Sequence, residues 1–267
     1  MNSNIFSFDR FGKYFCYDLR SAYNRFGLSA LILGSIPVFT FVTSQLISLL
    51  VSREFTNLGS GPQISAFVTA ICIVVLMAPV KLYGHVTDRR AGSDWLMIPA
   101  SALEKTLSML LITCVVVPAV FFSLFFLTDG IIAVLFGKIY PNAMITEVGR
   151  FSKVLTDNGF ITISKVPFYL SWCENILIFT LGSIFFKRGK IGKTILSYFI
   201  FISLLTTVLG LIIPGIDIDN ATIREWVENL TAEKVQFWLN FFLNILYLVV
   251  FALLDLGIYF RIKTIRL

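Results

Sequence analysis

The chain has 267 residues, 57% of them hydrophobic and only 14% charged, with a mean hydropathy of +0.83. A soluble domain is usually about a quarter charged, so charge is too sparse here to coat a water-soluble surface, and 27 Phe residues point the same way. The net charge of +6 reads as Lys and Arg placed in short loops beside apolar spans, where they set orientation and meet anionic lipid; it does not read as a nucleic-acid footprint.

In chain order, residues 1–26 come first. They carry several charges and no small-residue cleavage site, which excludes a secretory signal peptide. Phe8, Phe11, Phe15, Leu19, Ala22 and Phe26 recur at steps of three or four, with Asp9, Arg10, Lys13, Asp18, Arg20 and Arg25 on the other face. That pattern predicts an amphipathic helix lying in the bilayer interface, Phe side down. A bilayer core about 30 Å thick takes roughly 20 apolar residues per helix. The rest of the chain, 27–267, supplies six such spans at 28–51, 64–84, 103–127, 167–186, 194–214 and 236–260. Pro118 is expected to kink the third. The segment 128–166, with an apolar run at 130–136, either dips into the membrane or lies on it. A basic turn, Lys187-Arg188-Gly189-Lys190, separates the fourth and fifth spans. Pro214-Gly215 closes the fifth, and an acidic loop at 216–235 leads to the sixth. The expected fold class is an all-α integral membrane protein of six transmembrane helices preceded by the amphipathic elbow helix. With the N-terminus in the cytoplasm, fifteen Lys and Arg fall inside and seven outside, the asymmetry expected of cytoplasmic loops. Both termini are then cytoplasmic.

Chemistry-bearing motifs are few. Gly189-Lys190-Ile191-Gly192-Lys193-Thr194 fails as a phosphate loop, because Lys187 stands where the first Gly is needed and no buried strand precedes it. The chain thus presents no ATPase of its own. Cys16, Cys72, Cys114 and Cys173 form no CxxC pair, and His85 is the single histidine, which argues against a disulfide framework or a metal site. His85 reads as a solvated loop residue. No catalytic, cofactor-binding or metal-ligating set is expected. Two acids fall within spans: Glu174, with Asn175 beside it, and Asp255. Charged groups at that depth are costly and often functional; the plain reading is an acid held by hydrogen bonds in the bundle, and Asp255 could pair with Arg261.

The most informative stretch is 85–105. Pro99 breaks the preceding structure, and Ser101 with Glu104 has the spacing of a capping box, which would start the third span at a sharp corner. Before it stand Arg89, Arg90, Asp94, Trp95, Leu96 and Met97. This is either an ordinary loop or a short helix shaped to be gripped by another protein, with Trp95 as anchor and the charges as rim.

Trp95-Leu96-Met97-Ile98-Pro99-Ala100-Ser101-Ala102-Leu103-Glu104-Lys105 resembles the "LxLPAS-x-x-EK" element of small bacterial ABC-2-type transporter permeases, particularly those of Bacteroidetes, with Ile98 in place of the more usual Leu. Leu181-Gly182-Ser183-Ile184-Phe185-Phe186-Lys187, followed by Lys193-Thr194, and the ending Tyr259-Phe260-Arg261-Ile262-Lys263 are similar to that group as well. The resemblance rests on about 25 residues. It implies an elbow helix before six spans and a coupling helix at 85–100 seated on a separate ABC ATPase subunit. It further implies a dimer with a second permease copy or homologue, residence in the bacterial cytoplasmic membrane, and ATP hydrolysed by the partner with no cofactor on this chain. The alternatives are a stand-alone secondary transporter or channel relying on Glu174 and Asp255, and a membrane scaffold with no transport path.

Overall fold

The computed structural model describes residues 6–55, 57, 59–140, 143–146, 165–212 and 232–265. Pro214-Gly215, the acidic loop at 216–231, positions 147–164 of the segment 128–166 and the last two residues of the tail lie outside the described residues. The helices are α1 (Phe8–Gly34), α2 (Ile36–Ser52), α3 (Ser60–Tyr83), α4 (Arg89–Met97), α5 (Ala102–Leu111), α6 (Val117–Leu135), α7 (Lys165–Phe185), α8 (Lys190–Ile212) and α9 (Ala232–Thr264). A 3-10 turn at Gly84–Thr87 leads into α4, and a π turn at Ile112–Val116 joins α5 to α6. Among the described residues, five stretches are long and apolar enough to cross a membrane: Phe8–Ser52, Gly61–Thr87, Ala102–Leu135, Lys190–Val208 and Asn240–Thr264. Tyr169–Phe185 is a shorter apolar helix. This is the build of a multi-pass membrane protein.

The N-terminal segment departs from expectation. There is no turn near residue 26; α1 runs unbroken to Gly34 and then bends at Ser35 into α2. Pro37 sets the break, since it has no N–H to return to the preceding turn. The open carbonyls are met locally: Ser35 Oγ donates to Ile32 O at 2.9 Å, and Thr128 Oγ1 donates to Gly34 O at 2.6 Å. Contacts along α1 keep a constant register with α5–α6. Arg10 meets Glu104, Asp18 meets Ser108, Gly34 abuts Leu124 and its carbonyl takes Thr128. Two helices that stay in step over this length run side by side and parallel. The stripe buried against the rest of the protein is Tyr14, Asp18, Phe26, Ala30 and Leu33, and Phe8 at the helix start packs on none of it. The helix thus runs on across the predicted division at 26/27.

The third span differs at its far end. The helix continues through Thr128 and Gly130 to Leu135, so the apolar run 130–136 mostly extends α6 and forms no separate dip. Pro118 cannot donate to Cys114 O, and its ring would crowd that carbonyl; the π turn just before it makes room. Tyr169 Oη of α7 donates to Cys114 O at 2.8 Å, taking the place of the missing N–H.

The main core cluster reaches from Phe26 and Ala30 of α1 through Val74 and Ala78 of α3, Phe121 and Phe125 of α6, and Ile176 and Leu177 of α7 to Ile258 of α9, and a smaller cluster joins Phe41, Ile132 and Tyr140. An aromatic run, Phe67, Phe121, Phe122, Phe125, Phe126 and Trp172, packs with ring centroids 5.0 to 6.1 Å apart; such pairs contribute about 0.5–1.5 kcal/mol each beyond burial. Between membrane helices, close approach and packing supply most of the attraction. Two glycines allow it. A Cβ on Gly34 would stand 2.6 Å from Leu124 Cβ, and one on Gly182 would fall within 2.8 Å of Thr194 Cβ. Gly182 is thus where α7 crosses α8. By contrast α8 exposes Leu196, Phe199, Phe201 and Leu204 around its surface, as a lipid-facing helix does.

Candidate functional site

The segment between α3 and α5 forms a stitched corner at one end of the bundle. Ser101, in extended conformation, caps α5. Its side chain accepts from Glu104 N at 3.2 Å, and Glu104 Oε2 accepts from Ser101 N at 2.8 Å. The capping box read from the sequence is present. Glu104 does more than cap: its carboxylate, fully buried, also accepts from Ser7 N at 3.0 Å and from the Arg10 guanidinium at 2.7 to 3.0 Å. A planar guanidinium matches a carboxylate in this forked way. The start of α1 is thereby tied to the start of α5.

Next to it, Lys105 is buried and donates from Nζ to Trp95 O at 2.9 Å, with the same nitrogen 4.4 Å from the centre of the Trp95 ring. Trp95 is 5% exposed and belongs to the core. The expectation of Trp95 as an outward anchor is thus corrected. A nine-residue helix set against the bundle must bury one face, and α4 spends its one large aromatic there, held by a cation from the next helix. The Trp95 indole N–H faces the buried Tyr14 hydroxyl without closing a well-formed hydrogen bond. What α4 offers outward is Met97, 80% exposed, with Leu96 and Asp94, and Pro99 is exposed just beyond its end. The side chains of Arg89 and Arg90 lie outside the described residues.

Two further stitches were not foreseen. Asp18, expected on the polar face of an interfacial helix, is buried and accepts from Ser108 Oγ at 2.6 Å and Tyr83 Oη at 3.2 Å. The clue lies in spacing: Tyr14, Asp18, Ala22 and Phe26 are four apart, and they mark a packed face that starts one position before Phe15 and Leu19 and joins the Phe stripe at Ala22 and Phe26. The other stitch is Lys190, whose ammonium donates to Gly84 O and lies 3.6 Å from Asp88 Oδ1. The basic turn before it holds Gly189 at φ +63°, a left-handed conformation that suits glycine. His85, expected to be solvated, is half-buried with Nδ1 closed off and without a hydrogen-bond partner among the described residues. Beside the corner a groove of about 450 Å³ is lined by Ser7, Asp9, Arg10, Lys13, Tyr17 and Pro99, among others.

The intramembrane acids are not brought together. Glu174 of α7 and Asp255 of α9 each hold one buried oxygen without a hydrogen bond, and no bond or ion pair among the described residues links them. Asn175 is exposed and donates to Ser171 O at 2.7 Å. Arg261 does not turn to Asp255: its Nε donates to Ile184 O at 3.2 Å and its guanidinium lies over the Phe185 ring, closing the carbonyl end of α7. Among the described residues no group of three or more His, Cys, Asp or Glu side chains could hold a metal ion.

Comparison with protein families finds no family that matches the chain, and comparisons with curated proteins and with solved structures find no match either.

Proposed function

We propose that this chain is the membrane-spanning permease subunit of an ABC-2-type exporter in a bacterial cytoplasmic membrane. In this reading it has six spans, α7 completing the set: its 21 residues rise about 31 Å. Both termini, the α4 corner and the basic turn before α8 are cytoplasmic. A separate ATPase subunit binds and hydrolyses ATP, and this chain carries out no catalysis itself. The observation that carries the reading is the α4 corner, a short helix between two spans that shows apolar Leu96 and Met97 outward while Lys105 of α5 holds its Trp95 carbonyl and Lys190 of α8 reaches Asp88 at its start, with Glu104 and Asp18 tying the neighbouring α5 to α1 and α3. A lever needs both properties: a tip another protein can grip, and stiff attachment to what it moves. The motif around Pro99-Ala100-Ser101, similar to that of the permease group, supports the same reading. The bare apolar surface of α8 is compatible with a second permease copy.

The test is co-purification of a P-loop ATPase with the tagged chain from its native membrane. Leu96→Asp with Met97→Asp should reduce the recovered ATPase at least tenfold while the permease still inserts. If the wild type never brings down an ATPase, the exporter reading falls. A second reading, a transporter working alone, draws on the unpaired buried oxygens of Glu174 and Asp255. It requires uptake or efflux by the chain reconstituted without any ATPase, abolished by Glu174→Gln.

A further inference from the structure

Asp129 of α6 is 2% exposed. Both of its oxygens accept hydrogen bonds: Oδ1 from the Tyr140 hydroxyl, and Oδ2 from the Met144 backbone N–H. The donors come from the chain just beyond α6, which folds back over the helix end. Each brings its own proton to the carboxylate, so each favours the anion. A proton placed on Asp129 would have to take over the Tyr140 bond, turning that hydroxyl from donor to acceptor. Yet no Lys, Arg or His side chain of the described residues bonds to Asp129. A buried carboxylate without a countercharge is costly, and such groups are paired or bind a cation.

Across from it, Gln63 of α3 is 4% exposed, and neither its amide oxygen nor its amide nitrogen has a hydrogen-bond partner. A buried amide with both ends unmet is rare and calls for an explanation, an unplaced ion or water among them. Gln63 and Asp129 share one small cavity of about 10 Å³, whose wall also includes Thr40, Tyr140, Pro37 and Met144. That volume is close to the least that holds a single water-sized particle. Thr40 Oγ1 gives its proton to Ile36 O, so the lone pairs of that oxygen remain open. The polar lining is then a carboxylate, an amide oxygen, two hydroxyl oxygens and no imidazole, a hard-oxygen set that selects hard cations. One carboxylate balances one positive charge. A divalent ion would leave an excess charge buried, and calcium takes six to eight oxygens that this cavity does not offer. A water would meet Gln63 but leave the negative charge of Asp129 uncompensated.

We propose that Asp129, Gln63, Thr40 and Tyr140 form a binding site for one monovalent cation of sodium's size, which ties α3 and α6 to the segment after α6. The site is independent of the permease reading and survives its failure.

The experiment uses the purified full chain in nanodiscs, unfolded thermally in sodium, potassium or choline chloride at equal ionic strength, together with equilibrium binding of ²²Na⁺. The expected result is saturable stabilisation by sodium, weaker by at least tenfold in apparent affinity for potassium and absent in choline, with one ²²Na⁺ bound per chain. Gln63→Ala keeps the carboxylate and should weaken sodium binding at least tenfold, and Asp129→Asn should abolish it. If Asp129→Asn fails to fold, Gln63→Ala and the wild-type isotope binding decide the matter. Equal midpoints in all three salts with no bound ²²Na⁺ would mean that the cavity holds a water only, and the proposal is overturned. It is overturned equally if Gln63→Ala binds sodium as the wild type does.

Discussion

Trp95→Ala and Met97→Ala, two positions apart on α4, should have opposite consequences. Trp95 is 5% exposed, and its ring carries the Lys105 ammonium at 4.4 Å. Truncating a buried Trp removes its transfer free energy and leaves a cavity, together about 3–5 kcal/mol. A desolvated cation–π contact is worth up to about 2 kcal/mol and is largely contained in that range. Lys105 keeps its bond to the backbone carbonyl of residue 95, because truncation spares it, so the ammonium is not left bare and the loss should fall near 4 kcal/mol. Met97, 80% exposed, has almost nothing to lose; surface changes usually stay within about 0.5 kcal/mol. Its effect should appear in ATPase recovery alone. The assay is reversible unfolding in mixed micelles by SDS titration, run beside the pull-down. The reasoning is refuted if Trp95→Ala unfolds at the wild-type midpoint while losing the ATPase, since the indole would then face the partner and not the core.

Three further outcomes follow from contacts already described. Gly182→Ala should destabilise the α7–α8 crossing by about 1–3 kcal/mol, the usual cost of overpacking, because its Cβ would meet Thr194; SDS unfolding of Gly182→Ala with Thr194→Ser, which removes the crowding Cγ2 methyl, should recover part of the loss. Tyr169→Phe should cost about 1–3 kcal/mol by leaving Cys114 O without a donor next to Pro118, whereas the same change at exposed Tyr198 should be silent. Ser101→Ala removes one half of the capping box and should cost about 1 kcal/mol, read in the same titration.

What could be read in the sequence was local. The Ser101–Glu104 box closes over three residues and Pro118 acts on its own preceding turn, so spacing alone was enough. The start of α5 and the basic turn were legible for the same reason. What could not be read depends on a partner that is remote in sequence. Whether Trp95 points in or out is decided by Lys105 reaching back ten positions. Asp18 looked like surface because neither Tyr83 nor Ser108 adjoins it in the chain. Asp129 gains its donors from an irregular segment whose return over α6 leaves no periodic trace. Arg261 had both Asp255 and the end of α7 within reach, and only packing chooses between them.

The N-terminal helix gives the sharpest contrast between pattern and fold. Phe8, Phe11, Phe15 and Leu19 make an amphipathic stripe, and a stripe of that kind is equally compatible with a helix lying flat on a bilayer and with one standing against a neighbour. The constant register between α1 and α5–α6 selects the second arrangement. It has a measurable consequence, because depth in the membrane then changes along α1 by up to about 1.5 Å per residue. Spin labels placed one at a time at Gly12, Cys16, Tyr23 and Leu31, all exposed in the structure, span 19 residues and so up to about 28 Å of rise. Collision with oxygen, which partitions into lipid, against collision with a water-soluble nickel chelate should then grade steadily from Gly12 to Leu31. A helix lying in the interface would instead give Gly12, Cys16 and Tyr23 the same depth, with a step only after residue 26. Equal depth at those three positions would refute the continuous rod. It would also detach Arg10 from Glu104, since a flat α1 could not keep step with an upright α5, and the lever proposed at the α4 corner would rest on fewer ties.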